Sequence, residues 1–231
     1  MYRESGNEML IDFRAQILPG MDNLCPSHLT AIRRLLLAQQ AGVDVLVAAP
    51  LLDLDQMPAA LFLKRRDAAA EHLEMLLQEG MPRVAVGAEV LWHPALEREE
   101  LSALCTGDGW LLLRLPDGRL AEEAAASLER LQKQVRGVII AGMERLSEED
   151  AQRLFAIGCR GELSFSALSH HHDRDRWLPY LEHGEIVALG SEPGDDRHAY
   201  RKLSKISRKL DGALEAVMER AAEILKTASG E

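Results

Sequence analysis

The densest group of metal-binding residue types in the chain is His170-His171-His172, with Asp173 and Asp175 close behind. Imidazole nitrogens and carboxylates are the usual ligands of zinc, manganese and iron. Adjacent side chains diverge, however, so three consecutive histidines rarely meet on one ion, and a solvated loop is the competing reading. A second set is dispersed. Arg14, Glu89 and Glu192 each follow or end a short apolar run. A guanidinium at such a place can grip a phosphate or carboxylate with its two-pronged fork. It can equally close an internal salt bridge to Glu89 or Glu192. A third set, Arg197, Arg201, Lys202, Lys205, Arg208 and Lys209, lies near the end of the chain. It reads as a patch for a phosphate or an acidic partner, or as a solvated helix face. The single histidines His93, His183 and His198 read as surface or capping residues.

Positioning such groups takes a framework, and the hydrophobic pattern supplies one. Met9–Phe13 reads as a first strand and Ser27–Gln40 as a helix capped by Ser27 and ended at Gly42. Val43–Ala49 is almost wholly apolar, as a strand covered on both faces should be. The spacing then predicts a helix over Pro58–Glu79, a strand over Arg83–Val90, a short helix over Leu96–Cys105 and a strand over Trp110–Leu115. A helix over Leu120–Val135, a strand over Gly137–Ala141 and a helix over Ser147–Ile157 follow. Gly161–Phe165 is a weak sixth strand, Trp177–His183 a short helical piece and Glu185–Gly190 a seventh strand. A long helix over 198–227 ends the chain, amphipathic in Leu210–Leu225 and able to pack on the framework or form an oligomer contact. Strict alternation of this kind implies parallel strands joined by helical crossovers. The fold class is α/β, and no linker divides the chain, so residues 1–231 read as one domain. Neither GxGxxG nor GxxxxGK[ST] follows the first strand, which leaves nucleotide-binding versions of an open sheet without support. Function belongs at the C-terminal ends of the strands.

Composition narrows the classes further. The chain has 231 residues and a formal net charge of −10, which disfavours nucleic acid as a partner. A chain of this size buries roughly 70–75% of its unfolded surface, enough for a core without disulfides or metal. Only 4% of residues are aromatic, so Leu, Ala and Val must fill that core. Cys25, Cys105 and Cys159 form neither a disulfide framework nor a zinc site and read as free thiols. The N-terminus lacks an apolar signal region, and no run reaches the ~18–20 apolar residues of a membrane span. A cytoplasmic protein without membrane insertion is expected.

The strand ends, taken in order, carry a resemblance. Ile11-Asp12-Phe13-Arg14-Ala15-Gln16-Ile17-Leu18-Pro19-Gly20-Met21-Asp22 resembles the Asp-x-His-x-His-x-Leu-Pro-Gly-x-Asp opening of the PHP (polymerase and histidinol phosphatase) superfamily. The similarity is to its bacterial capsule-biosynthesis tyrosine phosphatases. Ala48-Ala49-Pro50-Leu51 is similar to that family's Ala-Thr-Pro-His, and Gly87-Ala88-Glu89 keeps its Gly-x-Glu. Ala141-Gly142-Met143-Glu144-Arg145 resembles Ala-His-Pro-Glu-Arg. Gly190-Ser191-Glu192-Pro193-Gly194 resembles Gly-Ser-Asp-x-His. The matches run from Met9 to Tyr200 in order.

The resemblance implies a distorted (β/α)7 TIM-like barrel whose mouth holds several divalent metals, manganese, iron or zinc, that activate water against a phosphotyrosine ester. It also implies which positions would hold them, and here this chain departs. Arg14, Gln16, Leu51, Gly142 and Gly194 stand where the family has histidines. Glu89 is unchanged, and Glu192 replaces an aspartate. Leucine and glycine cannot coordinate a metal, and glutamine is a feeble neutral ligand. Arg14 adds a fixed positive charge worth several kcal/mol against a cation about 4 Å away at an effective dielectric of about 20. Asp22 and the Glu144-Arg145 pair survive, either as residual functional groups or as a loop-closing aspartate and a structural ion pair. The expectation is a frame that kept its shape and lost its reaction, with no cofactor, no confident catalytic residue and a role in binding an anion or a partner. The resemblance suggests the tyrosine-kinase tail or another protein of a polysaccharide-export system as that partner, and a homo-oligomer is compatible with the tail helix. The alternative is an active phosphotyrosine phosphatase with a manganese or other divalent site rebuilt from Glu89, Glu192, Asp22 and His170–His172.

Overall fold

Valine, leucine, isoleucine and alanine runs pair side by side in the interior. The computed structural model describes residues 9–21, 24–191, 200–203, 206, 209–210 and 212–226. Its strands are β1 (Ile11–Ala15), β2 (Val45–Ala48), β3 (Leu51–Leu52), β4 (Arg83–Val86), β5 (Glu89–Leu91), β6 (Trp110–Arg114), β7 (Gly137–Ile140), β8 (Arg160–Ser164) and β9 (Ile186–Gly190). They form two sheets, β1-β2-β4 and β3-β5-β6-β7-β8-β9, and every ladder in them is parallel. The strand expected over 83–90 is interrupted at Gly87-Ala88, and the one expected over 43–49 is seen as β2, followed beyond Ala49-Pro50 by the short β3. Pro50 has no N–H to give the ladder. The bonding still runs through the break, because Gly87 N–H donates to Ala48 O at 2.9 Å and Glu89 N–H to Pro50 O at 3.0 Å.

The outer edges β1 and β9 pack against each other. Among the described residues no ladder joins them. Their link is made by a side chain, with Ser191 N–H donating to Asp12 Oδ1 at 2.8 Å. The parallel α/β architecture is therefore as expected, while a hydrogen-bonded closure into a barrel is not seen.

The helices are α1 (His28–Gln40), α2 (Ala59–Glu74), α3 (Glu122–Leu131), α4 (Glu148–Ile157), α5 (Phe165–Ser169), α6 (His171–His183) and α7 (Ala213–Lys226). Serine begins three of them. Ser27, Ser147 and Ser164 accept from Thr30 N–H, Asp150 N–H and Ala167 N–H at 3.3, 3.1 and 3.2 Å, which satisfies first-turn donors. None of these helices is long and apolar enough to cross a membrane.

Three expectations are corrected. The helix expected over 96–105 is two 3-10 turns, Pro94–Arg98 and Ser102–Leu104. The first is capped by His93, whose Nδ1 accepts from Ala95 N–H at 3.1 Å. The helical piece expected over 177–183 begins at His171 and follows a further short helix, α5. The single helix expected over 198–227 is broken. Residues 209, 210 and 212 lie in turn or bend, and Gly212 sits at φ +54°, a left-handed conformation that disfavours other residues. Beyond it α7 buries Ala213, Leu214, Val217, Met218, Ala221, Ile224 and Leu225 and packs on β1, β9 and α6.

Candidate functional site

Successive side chains of a strand face opposite ways, which sets Asp12 apart from Ile11 and Phe13, and the β1–β2 ladder slips by one residue between Asp12 and Ala15, where Arg14 lies. Both polar side chains are buried. Asp12 is fully engaged. Its Oδ1 accepts from Arg14 N–H at 3.1 Å and Ser191 N–H at 2.8 Å, and its Oδ2 accepts from the Tyr200 hydroxyl at 2.8 Å.

Arg14 is 2% exposed and lies between two carboxylates that are 0% exposed. Its Nη1 is 3.5 Å from Glu89 Oε1, and its Nε is 3.1 Å from Glu162 Oε2, an ion pair off the line of an ideal hydrogen bond. Glu89 stands opposite Leu112 in the ladder, so Arg114, two residues on, reaches the same face. Arg114 Nε and Nη2 each donate to Glu89 at 2.8 Å in a bidentate pair. Glu162 Oε2 also accepts from Gly142 N–H at 2.8 Å. The result is a chain of alternating charge, Arg114–Glu89–Arg14–Glu162, with Arg114 and Arg14 near the C-terminal ends of β6 and β1, Glu89 opening β5 and Glu162 midway along β8.

Gly190 makes the space for it. A Cβ there would fall 2.6 Å from Glu162 Oε1 and 2.8 Å from Arg14 Cβ, closer than real Cβ contacts. Glu162 Oε1 itself has no hydrogen-bond partner among the described residues. Burial pushes the Glu162 carboxyl up to about 7, against the pull of Arg14 and helped by nearby Glu144. Burial acts to lower the Arg14 value, but the charges of Glu162 and Glu89 outweigh it and drive the value upward, so this guanidinium is permanently charged.

The structure brings Arg14, Glu89, Glu144 and Gly142 together and leaves other expected residues apart. Leu51 pairs with Glu89 in the ladder and is half-buried. Gln16 is buried, with Oε1 unpartnered among the described residues, and its carbonyl accepts from Arg34 Nη1. Glu144 accepts from Ser164 N–H at 3.3 Å, and it forms no ion pair with the exposed Arg145 among the described residues. Asp22, Glu192 and Gly194 lie outside the described residues, as do Arg197, His198, Lys205 and Arg208 of the tail. His170–His172 do not form a solvated loop. His170 precedes α6 with Nδ1 3.0 Å from Ser166 O, while His171 and His172, both exposed in its first turn, pair outward with Asp175 and Asp173. Among the described residues no three His, Cys, Asp or Glu side chains converge on a point where an ion could sit. Buried Cys159 and half-buried Cys105 are pushed by burial up to about 12 and about 11, which keeps both as unreactive thiols. The residues that sequence reading did not single out are Glu162, Arg114, Asp12, Tyr200 and Gly190.

No family model matches the chain, and no curated protein matches it. Solved structures do. One, from the pair YwqE of Bacillus subtilis and CpsB of Streptococcus pneumoniae, described as unique metal-dependent tyrosine phosphatases, aligns over 94% of both chains at 19% identity and a TM-score of 0.73. The chain has the fold of these phosphatases. A prolidase complexed with N-methylphosphonate-L-proline aligns at a TM-score of 0.51 and 14% identity, over 95% of this chain and 74% of its own. An amidohydrolase aligns over the same shares at a TM-score of 0.50 and 11% identity.

The phosphatases of this fold are described as metal-dependent, and the described residues here do not fit a metal. The Arg14 guanidinium stands between Glu89 and Glu162 where a cation would have to stand, and Arg114 already takes both oxygens of Glu89. Evicting Arg14 would leave a buried fixed charge beside the incoming ion.

Proposed function

We propose that this chain is a non-catalytic counterpart of the PHP-type tyrosine phosphatases, built as one domain on a distorted seven-unit barrel. It works in the cytoplasm by binding, and its partner is the tyrosine-kinase tail or another protein of a capsule or exopolysaccharide system. One observation carries this reading. Arg14 supplies the positive charge at the strand ends, and Glu89 and Glu162 are spent neutralising it. Shared fold alone would not separate an enzyme from a binding protein. The internal pairing supports the binding reading, because both carboxylates already face the Arg14 guanidinium.

The test is direct. Purified chain loaded with manganese, iron or zinc and then desalted is expected to retain far less than one metal per chain, and to leave a phosphotyrosine peptide uncleaved with each metal. The same peptide, taken from a kinase tail, is expected to bind measurably by calorimetry. Metal-stimulated release of phosphate that disappears in Glu89→Ala would overturn the proposal.

A further inference from the structure

We propose a binding site for a small organic phosphate at the opposite, N-terminal ends of the strands, beneath α7. A cavity of about 310 Å³ opens there, lined by Trp110 of β6, Arg136 ahead of β7, Arg160 of β8, Val187 of β9, and Arg220 and Glu223 of α7. That volume lies at the small end of ligand sites, roughly 300–1,000 Å³. Three guanidinium groups face one carboxylate, in a chain whose formal net charge is −10. Local charge of the opposite sign to the whole selects an anion and draws it in.

The three arginines are not equivalent. Arg136 pairs with Asp108. Arg220 Nη1 donates to Leu181 O at 2.8 Å and Ile186 O at 3.2 Å, which fixes its fork against the ends of α6 and β9. The Arg160 side chain makes no hydrogen bond or ion pair among the described residues, and the residue is only half-exposed. A half-buried guanidinium without a carboxylate has five donors to offer and a site already shaped around it. The wall beside it is aromatic and fixed. Gly137 has no room for a side chain, since a Cβ there would fall 2.4 Å from the Trp110 ring. The indole therefore lies close against Gly137 and gives an apolar face next to the charge. The open Arg160 fork, with the positive charges of Arg136 and Arg220 lining the same cavity, suits the oxygens and double charge of a phosphate, and the indole suits a ring or other apolar group attached to it. This site uses none of the Arg14 network, so the two proposals stand or fall separately.

Phenyl phosphate is the probe, with phenol and phenylacetate as controls, followed by calorimetry and by tryptophan fluorescence at constant ionic strength. Saturable binding of phenyl phosphate is expected, with a fluorescence change that Trp110→Phe abolishes. Arg160→Gln is expected to weaken binding about 10- to 100-fold, and Arg160→Lys to recover part of it. Arg98→Gln, which removes one exposed positive charge elsewhere, is expected to leave it unchanged. Absence of saturable binding, equal binding by Arg160→Gln, or phenylacetate binding as tightly as phenyl phosphate would each overturn the proposal.

Discussion

At the C-terminal strand ends Arg14 is buried between Glu89 and Glu162, whereas at the N-terminal ends Arg160 stands half-exposed beside a cavity and meets no carboxylate among the described residues. The same residue type, on the same set of parallel strands, is treated in opposite ways. Burial accounts for the difference. A guanidinium removed from water must be neutralised by its own chain, and the neutralising groups then fill the space a ligand would use. One that keeps part of its hydration needs no internal partner and can exchange water for a ligand at small cost. The end that holds the Arg14 network thus has the least capacity to accept an ion, and the proposed capacity for an anion lies at the other.

Breaking the buried network should have the largest effect. Arg14→Ala leaves Glu89 and Glu162 facing each other without their cation, and urea denaturation is expected to show a loss of about 3–5 kcal/mol. Arg14→Met combined with Glu162→Gln is expected to lose less than the single change, because no charge is left stranded. Equal losses would mean that the two side chains are not coupled. Next comes pH. The Glu162 carboxyl sits at about 7 in the folded chain and near 4.3 when unfolded, so the folded state holds a proton that the unfolded state releases. Its contribution is complete below pH ~4 and is lost as pH rises through about 7, on the order of 3 kcal/mol in all. Stability measured at pH 5 and pH 8 should therefore fall, and Glu162→Gln should flatten that fall. An unchanged slope in the variant would assign the effect elsewhere. The smallest of the three changes is at the other end. Gly137→Ala drives a methyl group into the Trp110 ring and is expected to cost about 1–3 kcal/mol and shift the Trp110 emission. Wild-type emission from that variant would mean that the indole is not held there.

The alternation of strands and helices was legible because strands covered on both faces are almost unbroken apolar runs, as in Val45–Ala48 and Gly137–Ile140. Serine caps marked the starts of α1 and α4 for the same reason they stabilise them. The failures have physical causes too. Gly87-Ala88 breaks a strand that hydropathy alone runs together. Gly212 breaks a helix whose amphipathic period continues on both sides. At the site, Arg14 and Glu89 were visible from spacing, and an internal bridge between them was one of two open readings. Glu162 was read only as a weakness in the sixth strand. A glutamate inside a strand that is otherwise fully buried was the available signal, since such a charge requires a partner. Arg114 and Gly190 could not be found this way, because each matters through the register of a neighbouring strand.

The contact between α7 and β1 bears on how the chain comes to be folded. Ile11 N–H donates to Met218 Sδ at 3.3 Å across 207 residues, and α7 covers the β1–β9 seam. During synthesis the first strand leaves the ribosome long before its cover exists, and its apolar face stays open until almost the whole sequence has emerged. Closing so large a loop ties folding to late, non-local encounters. A chain tied together by so non-local a contact should fold slowly for its size.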